Sequence, residues 1–103
     1  MAFAELVIQQ AWKRQNGKCA KCCKTLTEWN RDIGDYGAWH AHHKMPVHLG
    51  GTDDLDNCVI LCVNEPPNCH FNFGHGGVSW EHYSPIYDWD MPCLKPQPVK
   101  WIP

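Results

Sequence analysis

The sequence predicts a small α+β domain: an N-terminal helix, a two-stranded β-hairpin with a long connecting loop, a short helix, and an extended tail rich in proline and aromatic residues. Three observations carry this reading. Apolar residues near the N-terminus recur at helical spacing. Two short apolar runs flank a 14-residue connection, residues 44–57, that contains proline and glycine. Seven cysteines and seven histidines cluster within 103 residues. A chain of this length forms one domain and not two independent cores, so residues 1–103 are read as a single unit with its core at 12–77 and its tail at 78–103.

Each element has its own justification. Phe3, Leu6, Val7 and Ala11 follow helical spacing, and Ile8 and Trp12 widen the stripe, which predicts a helix over residues 3–15. Asn16-Gly17 is a stop signal. Cys19-Ala20-Lys21-Cys22 then forms a tight turn, and residues 24–37 read as loop, punctuated by Gly34 and Gly37. Residues 38–43 and 59–63 are candidate strands. The connection between them, with Pro46 and Gly50-Gly51, is long for a hairpin, and loops of that length usually carry function. Pro66-Pro67-Asn68 suits the first turn of a short helix that must stop by Gly74, Gly76 or Gly77. From Val78 onward no period is visible. Five of the eight prolines and five of the twelve aromatics lie there, which predicts extended chain packed over the domain. An aromatic surface for a partner or for nucleic-acid bases is the alternative use of that segment.

Composition narrows the function classes. A formal charge of -2, 44% apolar and 19% charged residues exclude a disordered or polybasic chain. No apolar stretch approaches the ~20 residues of a membrane span, and no basic segment precedes an apolar one at the start, so a cytoplasmic, non-membrane protein is expected. The charge is uneven. Residues 1–31 carry a net +4, and residues 32–103 a net -6. Bulk charge therefore argues against tight, sequence-blind binding of nucleic acid, leaving only a local basic face near the N-terminus.

Seven cysteines cannot all pair within one chain, and a metal site built from some of them is the preferred reading over a disulfide framework. Cys19-x2-Cys22 and Cys62-x6-Cys69 supply four thiolates, the donor set of a closed structural zinc site. Cys23 could replace Cys22, but the two-residue gap is the commoner knuckle spacing. Cys58 reads as a small buried thiol in the second strand, and Cys93 has no assignment.

The segment Ala41-His42-His43-Lys44-Met45-Pro46, followed by Gly50-Gly51, Asn57, Leu61-Cys62 and Cys69-His70, resembles the HNH endonucleases, the ββα-metal nucleases, over about residues 12–75. Two features depart from the commoner pattern: His42 stands where Asp is frequent, and six residues separate Cys62 from Cys69. The resemblance implies that His43 is the general base and that His42 and His70 hold one catalytic divalent cation, with His75 the alternative to His70. It implies that Asn57 braces the long loop. Cys19, Cys22, Cys62 and Cys69 would hold structural Zn2+. Arg31, Lys44 and His75 are candidate substrate contacts.

The chemistry fits these residue types. Phosphodiester hydrolysis needs a deprotonated water and stabilisation of developing charge, and imidazole is a suitable base near neutral pH. Imidazole ligation suits Zn2+, Ni2+ or Mn2+ as well as Mg2+. Strict alternation points His42 and His43 to opposite strand faces, so a bulge or strand end between them is expected. His40 shares the face of His42 and reads as a neighbour, not a ligand.

The expected function is a metal-dependent endonuclease acting on DNA, most naturally double-stranded, with low intrinsic sequence preference. The alternatives are a non-catalytic zinc-stabilised module that binds nucleic acid, and an RNA-cleaving nuclease on the same fold.

Overall fold

The computed structural model describes residues 3–32, 34–64, 68–77 and 83–94. Its first element is helix α1, Glu5–Arg14. Phe3 and Ala11 are buried, and Val7, Ile8 and Trp12 pack against the core. Leu6, expected in the apolar stripe, is 64% exposed. It lies five residues before Ala11, about 140° away around an α-helix, so it cannot share the buried face. Glu5 in the first turn and Lys13 and Arg14 in the last complement the helix dipole. The helix stops where Asn16 and Gly17 take positive φ (56° and 69°), and the Gly17 amide closes the end on the Trp12 carbonyl at 3.1 Å.

Strand β1, Trp39–His43, pairs antiparallel with β2, Cys58–Cys62, in the register Trp39↔Cys62 to His43↔Cys58. Every residue of β2 is buried, which explains its continuous apolar sequence. The edge of β2 away from β1 is capped by side chains, because an unpaired buried strand edge is costly. Gln15, only 3% exposed, accepts from the Ile60 amide at 2.9 Å and donates to the Ile60 carbonyl at 3.0 Å. Arg14 donates to the Cys58 carbonyl at 2.6 Å. The residues that end α1 therefore serve as the missing third strand.

The predicted loop 44–57 holds two single 3-10 turns, Val47–Leu49 and Leu55–Asn57. Past the second strand, Cys69 leads into a π-helical turn, His70–Gly74, and the expected short helix is reduced to this turn. Pro66 and Pro67, expected to open it, lie outside the described residues.

Residues 83–94 run as irregular chain with one 3-10 turn, Asp88–Asp90, and bury Ile86, Met91 and Leu94. Packing over the domain is thus as expected for this part. The Ile86 amide donates to the Lys44 carbonyl and the Cys93 amide to the Ala20 carbonyl. Cys93, unassigned by sequence, is disulfide-bonded to Cys23 across 70 positions. The composition argument holds for four cysteines, and two others form this staple. Tyr87 and Trp89 stack on each other at 4.7 Å and stay exposed. Trp80, His82 and Trp101 lie outside the described residues.

Candidate metal centres and active site

The Cys19 turn, the end of β2 at Cys62, and Cys69 just before the π-helical turn build the first centre. Cys19, Cys62 and Cys69 are buried and Cys22 is half-buried. Their four sulfurs lie within 4.8 Å of one another. The Cys22–Cys62 Sγ separation of 3.8 Å equals the edge of a tetrahedron with bonds of ~2.3 Å, the zinc–thiolate length. Two backbone amides, of Cys62 and Cys69, donate to the sulfurs of Cys19 and Cys62, as expected around thiolates. Hydrogen bonds from Cys62 and Cys69 hold the Cys19 thiol low, and proximity to Cys19 pushes Cys69 and Cys62 up. Four converging sulfurs are a donor set that a divalent cation would complete. Cys23, with φ 66°, turns away to Cys93, so Cys22 is the second ligand-capable residue of the pair.

The second centre lies on the other side of β1 and joins three imidazoles: His42 from the strand, His70 from the start of the π turn, and His75 just past it. His75, expected as a substrate contact or as a substitute for His70, instead stands beside His70 at 5% exposure. An i→i+5 hydrogen bond, from the His75 amide to the His70 carbonyl at 3.0 Å, brings them together. Their Nε2 atoms are 3.2 Å apart, the separation of two ligands on one ion with bonds of ~2.1 Å. His42 is 2% exposed, and its Nε2 has no hydrogen-bond partner among the described residues. A buried, orphaned ring nitrogen next to two others is the signature of a cation site. Burial first, then the neighbouring histidines, depress His42 to about 2 and His70 to about 3, so both are neutral donors at physiological pH. Gly74 leaves this cluster its space, since a Cβ there would sit 3.1 Å from the His42 ring. Tyr83, its own hydroxyl pKa raised by burial, covers the cluster at 4.2 Å from His75 and 5.0 Å from His42.

His43 faces the opposite way. The pairing His42↔Val59 and His43↔Cys58 runs straight through, so the expected bulge between the two histidines does not occur. The His43 ring stacks on Phe3 at 4.0 Å, and its Nε2 is 2.8 Å from Oδ1 of Asp53. Asp53 comes from the long loop, and no spacing rule in the sequence singled it out. A cleft of about 310 Å³ lined by Arg31, His40, His43 and His70 brings residues of both faces together along the edge of β1 that β2 leaves unpaired.

Asn57 does what the loop requires of it. Its side chain accepts from the Met45 amide at 2.7 Å and donates to the carbonyls of Met45 and Thr52 at 3.0 and 2.9 Å. The candidate phosphate contacts are both engaged with acids. Arg31 pairs with Glu5 at 2.9 Å and lies over the Trp39 ring, and Lys44 pairs with Asp88 at 2.7 Å. No helix among the described residues is long and apolar enough to cross a membrane.

Comparison with known proteins agrees with this geometry. A 63-residue stretch is 40% identical to the type IV methyl-directed restriction enzyme EcoKMcrA of Escherichia coli strain K12. That stretch covers 59% of this chain and 21% of the relative, so the chain spans about a fifth of that protein's length. The pattern that defines the HNH endonucleases matches residues 19–75, from the first cysteine of the thiolate centre to the last histidine of the imidazole cluster. Those residues are more than half of the chain, and the chain belongs to the HNH endonuclease family.

Proposed function

We propose that this chain cleaves phosphodiester bonds of DNA as a metal-dependent endonuclease, with His43 as general base. The observation that carries the proposal is the convergence of His42, His70 and His75 beside a histidine whose ring is held by a carboxylate. In this reading Asp53 accepts from the His43 Nε2–H, which leaves the Nδ1 lone pair to take a proton from water. The oxygen of that water attacks phosphorus, and the bond from phosphorus to the leaving sugar oxygen breaks. The three imidazoles would hold a divalent cation, which would supply charge stabilisation in the reaction.

The cleft beside Ala41, at the edge of β1 turned away from β2, would let one phosphate meet His43 on one face and the cluster on the other, without a bulge. Asn57 keeps the loop that carries Asp53 closed, as a positioning residue. The four cysteines hold a structural zinc ion, and the donor set and tetrahedral spacing support that choice. Arg31 and Lys44 would reach phosphate only by leaving Glu5 and Asp88, so phosphate contacts are few and DNA is held weakly.

The test is cleavage of supercoiled plasmid, single-stranded DNA and RNA in parallel, with Mg2+, Mn2+, Ni2+, Zn2+ or EDTA. Metal-dependent nicking of plasmid is expected. Cutting of RNA alone would move the substrate, and no cutting of any of the three would leave a binding module.

A further inference from the structure

His40 lies two residues before His42 on β1, outside the group of three converging imidazoles. It makes two contacts. Its Nε2 is 2.9 Å from the Arg31 carbonyl oxygen, and its Nδ1 is 3.3 Å from Nδ1 of His70. The rings meet edge to face, at 81° and 5.1 Å between centroids.

These contacts fix a proton order. A carbonyl oxygen only accepts, so His40 donates from Nε2–H. A neutral imidazole carries one N–H, so His40 Nδ1 is bare and accepts. The proton between the two rings therefore belongs to His70 Nδ1. His70 is then left with a bare Nε2, the atom that stands 3.2 Å from His75 Nε2 in the cluster. The Arg31 carbonyl that starts the chain is itself fixed in place, because the Arg31 side chain is tied to Glu5 of α1 and lies 4.4 Å over the Trp39 ring.

We infer that His40 is a positioning residue that sets the tautomer of His70, through the relay Arg31 carbonyl–His40–His70, so that His70 Nε2 is the unprotonated nitrogen turned to the cluster. The inference rests on the reading of His42, His70 and His75 as ligands. It assigns the loop at residues 24–37 a task that the catalytic reading leaves unexplained: presenting one carbonyl to a ligand's outer hydrogen bond. Outer partners of this kind typically change metal affinity by ~10–100-fold when removed.

The experiment compares wild type, His40→Leu and His40→Asn as full chains with the thiolate centre loaded with zinc. Asparagine places a carbonyl oxygen where His40 has Nδ1 and restores the acceptor; leucine fills the space without one. Long-range 1H–15N NMR before addition of Ni2+ should show His70 protonated on Nδ1 in wild type and in His40→Asn, and a mixture of tautomers in His40→Leu. Titration with Ni2+ should give a dissociation constant ~10–100-fold weaker for His40→Leu, with His40→Asn close to wild type. If wild type binds no Ni2+ at the histidine cluster, the ligand reading fails and the role of His40 falls with it. If wild type binds and His40→Leu binds equally well, the relay alone is overturned. The wild-type NMR spectrum decides even if a variant does not fold: His70 protonated on Nε2 would also overturn it.

Discussion

His43 and Asp53 illustrate how much of the chemistry sits in single contacts. Replacing Asp53 with alanine removes the acceptor at 2.8 Å that orients the base, while Phe3 still stacks on the ring. Nicking by Asp53→Ala should fall ~10–100-fold with the fold unchanged by circular dichroism, the size typical of a lost orienting or acid–base contribution. Full activity would show that stacking alone positions His43. His42, His70 and the four cysteines could be singled out in the sequence because their spacing follows a family pattern, and the structure brings them into two clusters. His75 is expected from the sequence either as a substrate contact or as the alternative to His70, not beside it, and an α-helical turn would set it about 140° around from His70. The π turn removes that offset, and no propensity rule announces a π turn. Asp53 was missed for a different reason: in a 14-residue loop, which of the carboxylates at 53, 54 and 56 turns inward depends on tertiary packing.

At the scale of elements, the hairpin and its loop act as one device. The strands were predicted to within one residue at each end, because continuous apolar runs bounded by turn signals leave little choice. The straight register through His42 and His43 was not, since alternation seemed to forbid a shared target. In the proposed reading, the edge of β1 turned away from β2 resolves that conflict. The loop closes through Asn57 and through the close approach of Gly51 to the Met45 carbonyl, where a Cβ would collide with backbone and also press within 3.0 Å of the Asn57 amide. Gly51→Ala should therefore cost ~1–3 kcal/mol in chemical denaturation and lower nicking as well, because Asp53 moves with the loop. Wild-type stability in Gly51→Ala would mean the loop is not packed as described.

At the scale of the whole molecule, the four-cysteine centre and the Cys23–Cys93 bond tie together parts of the chain that are far apart in sequence. Cys19→Ser or Cys62→Ser should lose the structural ion and cooperative unfolding together, because such an ion contributes ~10 kcal/mol or more, comparable to the stability of a domain this size. A variant that kept both would remove the structural centre from the account. The Cys23–Cys93 bond ties residues 83–94 to the knuckle, and reducing it should cost ~2–4 kcal/mol while leaving the four-cysteine ion in place. Nothing in the spacing indicated that pairing, because a long-range disulfide is set by where the tail lands. With a net charge of -2 and Arg31 and Lys44 already paired, DNA binding should be weak, with a salt dependence corresponding to only a few phosphates.

The most direct measurement is single-turnover nicking of supercoiled plasmid by wild type and His43→Ala, at the metal optimum, with circular dichroism and bound zinc measured on the same samples. His43→Ala is expected to keep its fold and its zinc and to lose nicking by ~100-fold or more. A folded, zinc-loaded His43→Ala that nicks at the wild-type rate would contradict it.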